Sequence, residues 1–225
     1  FFWNVGRPFS QNEDFFLPLI KFNFHKESII DHSEGVLLKS SNLMFENSPE
    51  NILWETLPDG ECGLSSPAGG GKVSEEHSFV PLSDGSIFCV YRTIDGRPAF
   101  SYSRDNGHSW DEPQYLHLKN PRAANFIWKC RNGKYLYWFH NNGMTGYTDR
   151  NPVWVSSAHE EDSPDGKTLS FGEPEILFYD DSEYTLISYP DMIEDNDRIF
   201  ISETQKDIAR IHEIPSSFIN RLMGY

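Results

Sequence analysis

The chain has 225 residues, of which 15% are aromatic and 38% hydrophobic, and a formal charge of −15. That is enough apolar material for a sizeable core, which sets the chain apart from a disordered acidic tail. The negative balance argues against non-specific binding to nucleic acid or to an anionic bilayer, and no run is long enough to span a membrane.

In chain order, the opening Phe1-Phe2-Trp3 reads as a processed or excised end, with no signal peptide. Gly35 to Lys39 and Asn51 to Trp54 read as outer strands of a first unit. Pro67 to Lys72 is the most loop-like stretch, but it lacks the G-x-x-x-x-G-K-[ST] spacing of a phosphate loop. Glu76 to Val80, Ser86 to Arg92 and Pro98 to Ser103 alternate with period two and are separated by Asp-Gly turns. Ser103-Arg104-Asp105-Asn106-Gly107-His108-Ser109-Trp110 follows, then a short strand near Tyr115 to Leu118. In that run Asp105 can bond the N–H groups of its own turn, Gly107 can take a positive φ, and Trp110 can plug a gap between sheets.

The same syntax recurs over Asn125 to Cys130, Lys134 to His140, Pro152 to Ala158 and Glu173 to Phe178. Ser163 to Leu169 reads there as a degraded copy of the Asp105 run, with Leu169 or Phe171 in the tryptophan slot. A third copy covers Tyr189 to Ile193, Arg198 to Glu203 and Ile208 to Glu213. Repeats of roughly 45–55 residues built from four antiparallel strands make propeller blades, about four in this length. The expectation is one all-β domain over residues 1–225, with its ring incomplete or completed by another segment. Cys62, Cys89 and Cys130 are too few and too scattered for a disulfide framework or a zinc site; Cys89 and Cys130 read as buried thiols.

A propeller carries its site at the central mouth, at the ends of its inner strands. In those slots stand Glu75-Glu76-His77, Pro121 to Asn125 and Ser188-Tyr189-Pro190-Asp191, then Tyr91-Arg92-Thr93, His140-Asn141-Asn142 and Glu203 to Lys206. Strand alternation sends Glu75 and His77 to one side and Glu76 to the other. Arg92, with Arg122 and Arg150, suits forked recognition of a planar anion. Glu76, His77, His140, Tyr189 and Asp191 are candidate acids, bases or nucleophiles; Asn141 and Glu203 are candidate substrate contacts. Arg210 and His212, on a third strand farther from the mouth, read as structural, as do Glu173 and Glu175. No metal or cofactor is expected, since no ligand spacing is convincing.

The run Ser103 to Trp110 is similar to the Asp box, and Glu76 to Gly85 with Tyr91-Arg92-Thr93 to the BNR repeat, of the sialidase superfamily. The resemblance implies a sialidase-like β-propeller, usually of about six blades. It also implies an exo-acting glycoside hydrolase that removes a terminal, acidic sugar from a glycan, in a secreted or periplasmic setting. Through the resemblance Arg92 stands where an arginine of a carboxylate-binding triad is expected, and Tyr189 where a tyrosine nucleophile is. The family's F/Y-R-I-P opening is absent and only one Asp box is intact. Two alternatives stay open: a polysaccharide lyase or uronate-linked glycosidase using His77 or His140, and a non-catalytic carbohydrate-binding propeller.

Overall fold

A computed structural model describes residues 2–3, 6–22, 32–146, 148–182, 184–205 and 207–224. The described residues form four antiparallel sheets and one short α-helix. The first sheet holds β1 (Phe2–Trp3), β2 (Phe9–Gln11), β3 (Asp14–Phe22), β4 (Ser33–Ser40) and β5 (Glu55–Leu57). The second holds β6 (Ser74–Pro81), β7 (Ile87–Thr93), β8 (Ala99–Ser103) and β9 (Gln114–Tyr115), in that order. The third holds β10 (Phe126–Lys129), β11 (Tyr135–Phe139), β12 (Val153–Ser163), β13 (Gly166–Phe171) and β14 (Glu175–Phe178). The fourth holds β15 (Ser188–Asp195), β16 (Arg198–Gln205) and β17 (Ile208–Ile214). Helix α1 (Ser216–Met223) follows.

The near-continuous apolar runs of the second strands have a simple cause. Side chains of a strand alternate between its two faces, and here each face meets a different neighbouring sheet. On β7, Ile87, Cys89 and Tyr91 join the core shared with Phe16, Leu37 and Leu57 of the first sheet. Phe88 and Val90, from the other face, join Tyr135, Tyr137 and Phe139 of β11. Leu136 and Trp138, the remaining face of β11, pack with Met192, Ile199 and Ile201 of the fourth sheet. Each of these two middle sheets is thus a blade with two buried faces, as in a β-propeller.

The run Ser103 to Trp110 does what its residue types imply. Asp105 accepts from the Ser109 N–H at 2.8 Å, the Ser109 hydroxyl at 2.5 Å and the Ser103 hydroxyl at 2.9 Å. Gly107 takes φ 94°. Trp110 packs on the core between the first and second sheets, edge-on to Phe79 at 5.6 Å.

Three expectations need correction, and one strand was not expected. Asn51 to Trp54 is not a strand; a short turn covers Pro49–Asn51 and the strand starts at Glu55, after Asn42 has bonded the Asn51 carbonyl and the Leu53 N–H. Ser163 to Leu169 is not a second Asp box but the tip of the β12–β13 hairpin, where the Ser163 hydroxyl donates to the Gly166 carbonyl at 2.6 Å. Even so, Leu169 and Phe171 pack against the core between the second and third sheets. The region before Gly35 also carries β3, whose Pro18 interrupts the pattern that would mark a strand. Finally, alternation fails at Glu76. Pairing runs Ser74↔Thr93 and Glu75↔Arg92, then resumes at Ser78↔Val90, so β6 carries an extra residue there. Glu76 sits in that bulge at φ 54°.

Candidate active site

The inner strand of the fourth sheet repeats the device. On β15 pairing passes from Ser188↔Thr204 to Asp191↔Ser202, and Tyr189 sits between them at φ 50°. Bulges re-aim side chains, and a non-glycine residue at positive φ costs of order 1–3 kcal/mol, a cost that clusters at functional sites. Here the two bulges aim at one another: the Tyr189 phenol comes close enough to the Glu76 carboxylate to favour its ionised form.

Arginines from three elements surround this pair. Arg92, at the end of β7, places Nη1 2.8 Å from Glu76 Oε2 and donates from Nη2 to Glu75 Oε2. The bulge therefore brings both carboxylates to one guanidinium. Arg122, in the loop before β10, reaches Glu75 Oε1 at 3.4 Å. Arg150, just before β12, donates to Ser188 Oγ at 2.7 Å and to the Arg122 carbonyl at 3.3 Å. Its guanidinium lies 6.0 Å from the centre of the Tyr189 ring.

The electrostatics follow from burial. Glu76 is pushed above the usual carboxylate range by desolvation, against the opposing pull of Arg92; Glu75 adds to the rise, while Arg150 and the Tyr189 hydroxyl offset part of it. Three guanidiniums against two carboxylates leave the cluster net positive in a strongly acidic protein. Tyr189 is 43% exposed, so the buried charges open to solvent at a phenol.

The other candidates lie elsewhere. His77 is fully buried, with Nε2 2.9 Å from Ser74 Oγ and its ring stacked on Tyr91 at 4.4 Å. Gly35 lies so close over the ring that a Cβ there would come within 2.2 Å of it. His140 is also buried, its backbone N–H held by Asn120 Oδ1 at 2.9 Å. Burial lowers both imidazoles to about 3, helped at His140 by the Arg150 charge. Both are thus neutral core residues rather than groups at the mouth.

Asp191 is exposed and pairs with Arg7 Nε at 2.5 Å. Asn141 has φ 45°, and the next residue, Asn142, closes its loop by donating to the Asp149 carbonyl at 2.8 Å. Glu203 is buried beside His212 Nε2 at 3.3 Å, Gln205 Nε2 at 3.2 Å and Arg210 Nη1 at 4.0 Å. Sequence reasoning placed Ser188 at the mouth without a role, and did not single out Arg7. A serine beside a tyrosine carries no signal until the register sets it against Arg150.

The family described as BNR repeat-like domain matches residues 26–201. This chain belongs to that family. No curated protein matches at the level of sequence. Among solved structures, the leech intramolecular trans-sialidase is similar with a TM-score of 0.62 and 14% identity, over 94% of this chain and 30% of that one. The K499G mutant of the NanB sialidase from Streptococcus pneumoniae gives 0.61 and 16%, over 89% and 27%. The α-L-arabinofuranosidase PaAbf62A from Podospora anserina gives 0.56 and 10%, over 94% and 63%. The chain therefore spans less than a third of each sialidase and less than two thirds of the arabinofuranosidase. At these identities the likeness is one of fold. The BNR repeat-like chain has sheets arranged as theirs are, and no helix long and apolar enough to cross a membrane among its described residues.

Proposed function

We propose that this BNR repeat-like domain is a glycoside hydrolase that removes a terminal acidic sugar from a glycan. The observation that carries the reading is the pair of strained bulges that set the Tyr189 phenol beside the Glu76 carboxylate, among Arg92, Arg122 and Arg150. The structural neighbours act in the same direction: those compared above are sialidases and an arabinofuranosidase.

The chemistry runs from the residues. Glu76 takes the phenolic proton, and the Tyr189 oxygen attacks the anomeric carbon as the aglycone oxygen departs and takes a proton from solvent water. Water then attacks the anomeric carbon and releases one proton to solvent, while the departing phenolate takes its proton back from Glu76, so configuration is retained over two displacements. A base with a raised pKa is the better matched to a phenol. Arg150, beside the phenol, and Arg122, next to it, would hold the sugar carboxylate. Arg92 has a different role, since both its terminal nitrogens face Glu75 and Glu76 and so hold the carboxylates in place.

A lyase built on His77 or His140 is disfavoured, because neither imidazole reaches solvent. A purely binding propeller would have no use for backbone strain at both Glu76 and Tyr189.

The test is a panel of acidic and neutral glycans incubated with the protein and with Tyr189→Phe, read by reducing ends and by near-ultraviolet absorbance of unsaturated uronates. We expect reducing ends from an acidic glycan without that absorbance, and a loss of at least about a hundredfold in Tyr189→Phe. Unchanged turnover in the variant would overturn the assignment, and the absorbance would point to elimination.

A further inference from the structure

Ser188 occupies a position that joins the two halves of the site. It is buried, it is the last regularly paired residue before the β15 bulge, and it directly precedes Tyr189. Its hydroxyl has one proton, which it donates to the Leu186 carbonyl at 3.0 Å. That leaves its oxygen to accept from Arg150 Nη1 at 2.7 Å. The polarity is therefore set: Ser188 can serve Arg150 only as an acceptor. The second anchor of Arg150, from Nη2 to the Arg122 carbonyl, is longer at 3.3 Å. Two contacts at different nitrogens fix the plane of a guanidinium where one would leave it free to roll.

We propose that Ser188 is a positioning residue, which holds the Arg150 guanidinium beside the Tyr189 ring in the orientation that receives a substrate carboxylate. The assignment rests on the reading of the site given above. It adds a coupling that reading does not need: the backbone that strains Tyr189 into place is the one that orients the anion-binding cation. Ser188 carries no charge, so its removal changes the orientation of Arg150 without altering the charge of the cluster.

The test compares binding of N-acetylneuraminate and glucuronate with that of their methyl esters, by calorimetry on the whole protein. In Ser188→Ala we expect affinity for the bound acid to fall about tenfold, the scale of one hydrogen bond to a charged group, with the ester little changed. In an Arg150→Lys background the same substitution should cost almost nothing, since its effect passes through Arg150. If Ser188→Ala fails to fold, the isosteric pair Ser188→Thr and Ser188→Val carries the same comparison, with tighter acid binding expected for threonine. Equal losses for acid and ester, full additivity with Arg150→Lys, or no loss at all would overturn the positioning role while leaving the anion site intact. A wild-type protein that binds neither acid, or prefers the esters, would overturn the anion site itself and this role with it.

Discussion

Arg92 stands between two buried carboxylates, and that governs what its removal does. Arg92→Ala would leave Glu76 without its nearest cation and Glu75 with Arg122 alone, so the loss is one of stability as much as of function. Breaking a buried pair from one side costs about 3–5 kcal/mol, which urea unfolding would detect; a variant as stable as the wild type would contradict this view of the cluster. At Glu76 the raised pKa has a kinetic sign. If Glu76 must be ionised to accept the phenolic proton, kcat/KM should fall on acidification with a midpoint above that of an exposed glutamate, and Glu76→Gln should abolish that limb together with most of the rate. The buried histidines give a separate pH effect. The unfolded chain protonates each imidazole near 6.5, whereas His77 and His140 resist to about 3 when folded. Between those values the unfolded state binds more protons, so stability falls as pH falls. Each histidine should remove roughly 1–2 kcal/mol between about pH 7 and about pH 5. Glu76 acts in the opposite sense, since its folded form holds a proton more readily than its unfolded one.

At the scale of elements, the boxlike turn from Ser103 to Trp110 and the bulges have separate duties. The box lies in the turn after β8 and fastens Trp110 into the gap between the first two sheets. Asp105→Ala deletes an acceptor of three hydrogen bonds and should cost about 1–3 kcal/mol, with kcat and KM unchanged in the surviving folded fraction. A selective loss of kcat would mean that the box communicates with the mouth. The Glu76 and Tyr189 bulges are the converse: they accept local backbone strain to bring two side chains together. The N-terminal segment also ties elements distant in sequence. Gly6 lies against the backbone of His77 on β6, while Arg7 donates to the Met192 carbonyl at 2.5 Å and pairs with Asp191 on β15. It therefore spans the inner strands of the second and fourth sheets.

At the scale of the whole molecule, a net charge of −15 means that the anionic ligand proposed above would bind against the protein's own field. The local arginines dominate at contact and the remaining charges at a distance. Salt screens the distant term more than the buried one, so kcat/KM for an acidic glycan should rise as salt is raised from about 0.01 M to about 0.15 M. A fall would mean that the arginine cluster, rather than the molecule's net charge, steers the approach of the substrate. The stacked sheets also divide the work of folding: alternate residues of β7 and β11 serve two separate cores, so a single substitution in either strand loosens one interface and leaves the other.

The blade pattern was legible in the sequence because its signals are local. Asp-Gly turns, period-two strands and the Ser103 to Trp110 run each specify their own conformation, and they located the second to fourth sheets. Arg92, Arg122, Arg150, Glu76 and Tyr189 were legible as candidates because they end apolar strands or flank their starts. What distinguishes them from His77 and His140, which stand in equivalent slots, is not local. A bulge inserts a residue without leaving a mark in composition, and it decides which face Glu76 takes. Burial of His77 depends on Gly35, some forty residues earlier, leaving room for its ring. Strands, turns and the residue types at the mouth thus follow from the order of neighbouring residues alone. Which of those side chains meet follows only from the folded chain, because register and the packing of sheets are set by contacts between residues far apart in sequence.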